Sequence, residues 1–261
     1  MNSPVQMTRR RDERHGPLAA RLTGLTSAAA SGALIGREIV IDWPAAIEAS
    51  QTGRTLVATA ANLVVRFCPQ VRIRPTTAFA SDLAQLLVSI ESTAEPDRPV
   101  RRGHLMVHLG GGRPADITGS AEGWVAHVSG YGEPLPELRE RDVVVGAHGA
   151  AALVASQVFV RALEPNVDLA GPSRRTAFSL FEYGAPTTQP PAIRAAPLDR
   201  VLQGGCGAVG QACVDVLVSS RAEGQFVVVD LGCVDDPTNL NRSVLALERD
   251  LLEVTPGRSR R

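Results

Sequence analysis

Apolar and polar positions alternate between two periods along this chain, and the switches between them define its elements. Residues 38–42, Glu-Ile-Val-Ile-Asp, form a short apolar run of the kind that makes a strand. Residues 55–67 carry apolar positions at helical spacing and stop before Pro69, which predicts a helix. A second strand is predicted over 70–74, closed by Pro75. A second helix is predicted over 78–92, with Leu83, Leu86 and Leu87 on one face. Further strands are predicted over 104–109 and 124–129, separated by loops that contain Gly and Asp. Residues 143–163 have the small and apolar composition of a closely packed buried helix, and 177–183 close the region as a strand. Strands that alternate with helices argue for an α/β fold with a Rossmann-like, mostly parallel sheet.

Punctuation then divides the chain. Residues 184–197 contain Pro186, Pro190, Pro191 and Pro197, which remove backbone donors and disfavour helix, so the segment is read as a linker. A new strand–helix–strand unit follows, with a strand over 198–202, a helix over 209–219 and a nearly all-apolar strand over 225–230. Such a strand is buried on both faces. The predicted organisation is an Arg-rich disordered arm (1–17), an α/β domain (18–183), the linker (184–197) and a nucleotide-binding unit (198–261).

Composition removes several function classes. A 44% hydrophobic and 21% charged chain of 261 residues is an ordinary globular one, and its net charge of zero gives no field toward nucleic acid or a membrane surface. Every permanently basic residue is Arg and none is Lys, so any role that needs a lysine is absent or filled by arginine. Cys68, Cys206, Cys213 and Cys233 form no C-x-x-C pair and have no His at ligand spacing, which argues against zinc and for a reduced, cytoplasmic interior. Arg9, Arg10, Arg11 and Arg14 precede a weakly apolar stretch, but Asp12 and Glu13 break the basic cluster and Arg21 breaks the apolar run. The segment is therefore read as a solvated arm rather than a secretion signal. No run approaches the roughly 18 apolar residues of a membrane span.

The informative chemistry lies in Gly205-Cys206-Gly207-Ala208-Val209-Gly210, a G-x-G-x-x-G run between a predicted strand and helix. Gly205 permits the tight turn, Gly207 lets a phosphate approach the backbone, and Gly210 lets the helix pack on its sheet. The helix start offers unpaired N–H groups and the positive end of a dipole. About twenty residues on, Asp230 ends the second strand, where a carboxylate accepts from ribose hydroxyls.

The run from Asp230 to Arg242, D-L-G-C-V-D-D-P-T-N-L-N-R, resembles the D-x-D-x-V-x-x-S-N-L-N-R-Q signature of ThiF/MoeB-type adenylyltransferases, the family that includes ubiquitin-activating enzymes and their bacterial sulfur-carrier relatives. The resemblance implies that Gly205, Gly207, Ala208 and Gly210 line a loop for ATP phosphates, and that Asp230 holds ribose. It implies that Asn239 and Arg242 hold phosphate, Arg242 as the catalytic clamp, with Mg2+ accompanying the ATP. The implied reaction activates the C-terminal carboxylate of a ubiquitin-like or sulfur-carrier-like protein or peptide as an acyl-adenylate, and the family is often dimeric. A planar guanidinium suits such a clamp because it meets phosphate oxygens in pairs. The sequence departs from the pattern at Gly232 (second Asp), Thr238 (Ser), Ser243 (Gln) and in the ATP-contacting lysine, which has no counterpart. The family's later catalytic Asp would fall beyond Arg261, so the unit reads as truncated and the chain as incomplete on its own. Residues 145–163 and 177–181 are similar to the helix and strand that close a domain of this family. No glycine loop precedes them, so 18–183 reads as a degenerate first copy. The alternatives are a nucleotide-binding scaffold without catalysis, and an NAD(P)-dependent oxidoreductase, which has no γ-phosphate for an N-L-N-R run to hold.

Other polar residues are read as structural. His104 and His108 share a strand face but lie roughly 13 Å apart by strand rise. His127 and His148 have no acid near them in sequence, the Gly110-Gly111-Gly112 loop with Asp116 reads as a turn, and Ser156 and Ser179 lack a nucleophile-elbow context.

Overall fold

The computed structural model describes residues 15–91, 93–97, 99, 104–130, 132–139, 143–164, 175–187, 198–205 and 207–229. In chain order these form α1 (His15–Thr23), α2 (Ser27–Gly36), β1 (Ile39–Asp42), a 3₁₀ turn (Ala45–Ala49), α3 (Gln51–Val65), β2 (Val71–Ile73), α4 (Ala78–Ile90), β3 (Leu105–Leu109), β4 (Ile117–Glu122), β5 (Val125–Gly130), α5 (Val145–Ala162), β6 (Arg175–Ser179), β7 (Arg200–Gly204), α6 (Ala208–Ser219) and β8 (Gln225–Val229). The fold is α/β with a mostly parallel, Rossmann-like sheet. Six strands run in the order β2-β1-β3-β4-β5-β6, and β7 pairs with β8 in a second, parallel pair. Strands β2, β1, β3 and β4 are parallel, whereas β5 and β6 join antiparallel.

Local chemistry starts the helices where they start. Thr26, Ser50 and Thr77 each accept from the backbone N–H three residues on, at 3.3, 2.8 and 3.1 Å, and so satisfy one of the donors that an α-helix leaves unpaired at its start. The Ser50 cap places the start of α3 at Gln51, four residues before the predicted 55, because polar Gln51 and Thr52 precede the apolar period.

The register assigns the two faces of the sheet opposite chemistry. Ile39, Ile41, Val107, Ile117, Ala121, Ala126 and Val128 share one face and are buried in the main core with residues of α3 and α5. α5 lies very close to the sheet. A Cβ at Gly146 would fall 2.4 Å from the Gly123 carbonyl oxygen, and one at Gly149 would fall 2.6 Å from Leu180 Cδ1. The opposite face carries Arg72, Asp42, His108, Thr118, Ser120, His127 and Ser129, all buried although polar. Arg72 lies in that layer with its guanidinium on the Glu95 and Val71 carbonyls, the Gln70 amide oxygen and the Glu38 carboxylate.

Four expectations are corrected. β4 is a strand where a loop was expected, because Thr118, Gly119 and Ser120 mask its period even though Ala121 and Ile117 face the core. The strand predicted over 177–183 ends at Ser179. Its hydroxyl accepts from Glu182 N–H at 3.1 Å, and Gly184 pairs back to it across a turn that holds Tyr183 at φ +54°. Residues 15–17, assigned to the arm, belong to α1, where His15 packs edge-on against Phe67. The strand predicted over 225–230 and expected to be buried on both faces is largely exposed as β8, with Val227, Val228 and Val229 open to solvent among the described residues. Among the described residues no single helix is long and apolar enough to cross a membrane.

Leu56, fully buried on α3, sets a stability test. Leu56→Ala is expected to lower the unfolding free energy by about 2–5 kcal/mol in urea titrations. Val88→Ala, on the exposed side of α4, is expected to stay within about 0.5 kcal/mol of the parent chain.

Candidate functional site

Strand β7 leads into a glycine turn, and the turn into α6. Gly205 sits at φ +90°, a backbone region open mainly to glycine. Its N–H donates to the Val229 carbonyl at 2.7 Å, and its carbonyl accepts from Gln203 Nε2 at 2.8 Å. The first of these bonds ties the turn to the end of β8, so it stands at the carboxyl ends of both parallel strands, where α/β sheets place ligands. Gly207 is the N-cap residue in extended conformation, and its carbonyl accepts the first helical bond from Gln211 N–H at 2.9 Å. No side chain caps this helix, and its first turn holds no acid. Among the described residues the leading N–H groups and the positive dipole end therefore have no local anion. A Cβ at Gly204, Gly205 or Gly207 would meet nothing within 4 Å among the described residues, and toward these the turn is open. At Gly210 the Cβ would lie 2.4 Å from the Gly205 carbonyl oxygen, so that position requires glycine for close packing.

The structure therefore brings together Gly205, Gly207, Ala208 and Gly210, with Ala208 as the first residue of α6. Asp230, Asn239 and Arg242 lie outside the described residues. At the end of the unit away from the turn, Val214, Leu217 and Val218 of α6 line a small cavity with Leu198 and Phe226. No described residue of α6 is fully buried, and Leu202, Val227 and Val229 of the strand pair are exposed.

The corresponding junction of the first sheet, from β1 to α3, is built differently. Between them stand Trp43, Pro44 and the 3₁₀ turn, and Ser50 Oγ already occupies the Gly53 N–H at 2.8 Å. A Cβ at Gly53 would lie 2.1 Å from the Ile47 carbonyl oxygen, so the chain itself covers the start of α3. Around the ends of β1 and β3 the polar groups pair with one another. The Asp42 carboxylate contacts Arg113, lies 3.9 Å from Arg74 and 3.4 Å from His108 Nδ1. Glu48 Oε1 accepts from Trp43 Nε1 and from Thr77 Oγ1, each at 2.7 Å.

His108, read from the sequence as a structural strand residue, is buried against Asp42 and the Gly111 carbonyl, 3.1 Å from Nε2, partners that the local sequence does not name. The available signal was register, since Asp42 and His108 are Cα partners on adjacent parallel strands. Likewise Asp116 is no free loop acid: its carboxylate accepts from Met106 N–H at 2.8 Å and fixes the return from β3 to β4. His148 meets an acid 67 positions away in sequence, Asp215, at 3.6 Å. Neither a family model nor a curated protein matches this sequence.

Burial pushes His108, His127 and His148 below the ordinary histidine value; a bond to the Gly111 carbonyl, the Glu122 charge and the Asp215 charge respectively oppose it, while Arg175 adds to the lowering at His127. A histidine depressed in the folded state contributes stability that is complete above its unfolded value, near about 6.5. That stability is lost as pH falls through the folded value. Urea midpoints are therefore expected to hold steady from pH 8 to 6.5 and to fall toward pH 5. The fall should be shallower in His127→Gln, and equal slopes for the two chains would contradict the assignment.

Proposed function

We propose that this chain is a ThiF/MoeB-type adenylyltransferase-like protein that binds Mg-ATP at the glycine turn between β7 and α6. In this reading it activates the C-terminal carboxylate of a ubiquitin-like or sulfur-carrier-like protein or peptide as an acyl-adenylate, with pyrophosphate as the leaving group. The observation that carries the reading is the open turn at Gly205 and Gly207, which leaves uncapped N–H groups at the carboxyl edge of a parallel strand pair. Phosphate oxygens match those donors in charge and in hydrogen-bonding sense. Asp230, at the end of the β8 run, would accept from ribose hydroxyls, and Asn239 with Arg242 would close on the phosphates. Among the described residues no cluster of three or more His, Cys, Asp or Glu is placed to hold a metal, so Mg2+ would travel with the triphosphate. Preorganised donors aimed at a leaving pyrophosphate lower the barrier without reorganising during the reaction.

A nucleotide-binding scaffold without catalysis is the second reading. It is favoured by Gly232 in place of the family's second Asp and by the absence of any lysine. An oxidoreductase is disfavoured by the Asn239–Arg242 run.

Calorimetric titration of the full chain with Mg-ATP, AMP and NAD separates these readings. Mg-ATP is expected to bind and NAD to give no heat. Arg242→Ala is expected to weaken Mg-ATP binding by about 10- to 100-fold, the range for one charged hydrogen-bonding group. Binding of NAD without ATP would overturn the proposal. Exchange of labelled pyrophosphate into ATP in the presence of a carrier peptide then divides enzyme from scaffold.

A further inference from the structure

The first sheet and the glycine-turn helix meet at a pair of side chains that the turn itself does not need. His148 stands in the first turn of α5, within the Gly146–Gly149 stretch that presses on the sheet. Its Nδ1 lies 3.4 Å from Thr59 Oγ1 of α3 and 3.6 Å from Asp215 Oδ2 of α6. Its Nε2 is buried and makes no hydrogen bond, and the His148 and Asp215 side chains are only 11% and 30% exposed. This arrangement selects a tautomer. A proton on Nδ1 faces two oxygen acceptors, whereas a proton on Nε2 would be a buried donor with no acceptor. The neutral imidazole with its proton on Nδ1 is therefore the form that fits. Protonating Nε2 as well would add a charge where burial already opposes one.

Asp215 lies eight residues beyond Gly207, roughly 12 Å along the helix axis at 1.5 Å per residue. Together with the covalent hold of the glycine turn at its start, a fixed point there restrains the axial position and rotation of α6, and through them the direction in which the N–H groups at Gly207 and Ala208 point. α6 has no fully buried residue to do this by packing alone.

We infer that His148, braced by Thr59, is a positioning residue for the nucleotide site: it grips Asp215 and so registers the glycine-turn helix against the first α/β unit. The inference rests on the nucleotide reading for its purpose but not for the contact itself. The first unit, whose own helix start is covered by the 3₁₀ turn, then acts as the platform on which the open helix start of the second is aimed.

The test is a double-mutant cycle on the full chain, with Mg-ATP affinity by calorimetry and the urea midpoint measured side by side. His148→Ala and Asp215→Ala are each expected to raise the Mg-ATP Kd about three- to tenfold, on the order of one polar contact. The double variant is expected to be no worse than either single one, because both remove the same contact. Two variants restore the chemistry: His148→Asn places an amide donor near the Nδ1 position, and Asp215→Asn keeps an oxygen acceptor. Both are expected to bind within about twofold of the parent, since a donor still faces an oxygen acceptor across the contact. A purely structural role would lower the midpoints and leave Kd unchanged, and that result overturns the inference, as do losses in Kd that add in the double variant. If the parent chain binds no Mg-ATP, the proposed function fails and the contact is judged on the midpoints alone. Coupled losses there sustain the grip on α6, and additive losses overturn it.

Discussion

The first N–H groups of an α-helix have no partner inside the helix, and a folded chain must supply one for each. In this protein the two helices that follow the first strand of a parallel strand–helix–strand unit meet that demand in opposite ways. At α3 the chain answers it locally, with the Ser50 hydroxyl on Gly53 N–H and the Ile47 carbonyl pressed over the same glycine. At α6 the described residues leave the demand open, with an extended Gly207, no capping side chain among them and none of their atoms where a Cβ would stand. The same architecture thus closes one helix start and presents the other. The polar layer on the first sheet follows from the closed one: Asp42, at the carboxyl end of β1, has its charge consumed by Arg113, Arg74 and His108 rather than turned toward a ligand.

How much of this could be read from the residues varies with the range of the interaction. The α/β alternation and the mostly parallel sheet were legible because each depends on periods inside one element. So was the glycine turn, where Gly205, Gly207 and Gly210 must fall at fixed offsets for the backbone to bend, open and pack. β4 was not legible, because Thr118, Gly119 and Ser120 are small or polar on both faces. The buried polar layer opposite α5 lacks the apolar signal by which strands are recognised. The partners of Asp42, His108 and His148 are set by register and tertiary packing across tens of residues, which no local pattern encodes. Caps moved element ends for the same reason, since Ser50 starts α3 ahead of its apolar period.

The sheet also changes character along its width. From β2 to β4 the strands are parallel; α3 crosses from β1 to β2 and α4 from β2 to β3, whereas residues 110–116 alone join β3 to β4. Beyond β4 they turn antiparallel, and β4 and β5 are joined by the tight turn at Gly123 and Trp124. β4 and β5 both pack against α5. That helix is also the one that carries His148 toward α6, so the packing of the first unit and the placing of the glycine turn run through one element.

The closeness of α5 has a further consequence for how this protein can vary. Gly146 and Gly149 hold their helix near the strands by what their side chains lack. Bulk added at either of them has no cavity to enter, and it would lift the helix from several strands together rather than disturb one contact. Elsewhere in the core a change in size can be matched by a neighbour. Along this seam smallness is itself the shape that fits, and substitutional freedom is narrowest there for reasons of geometry alone.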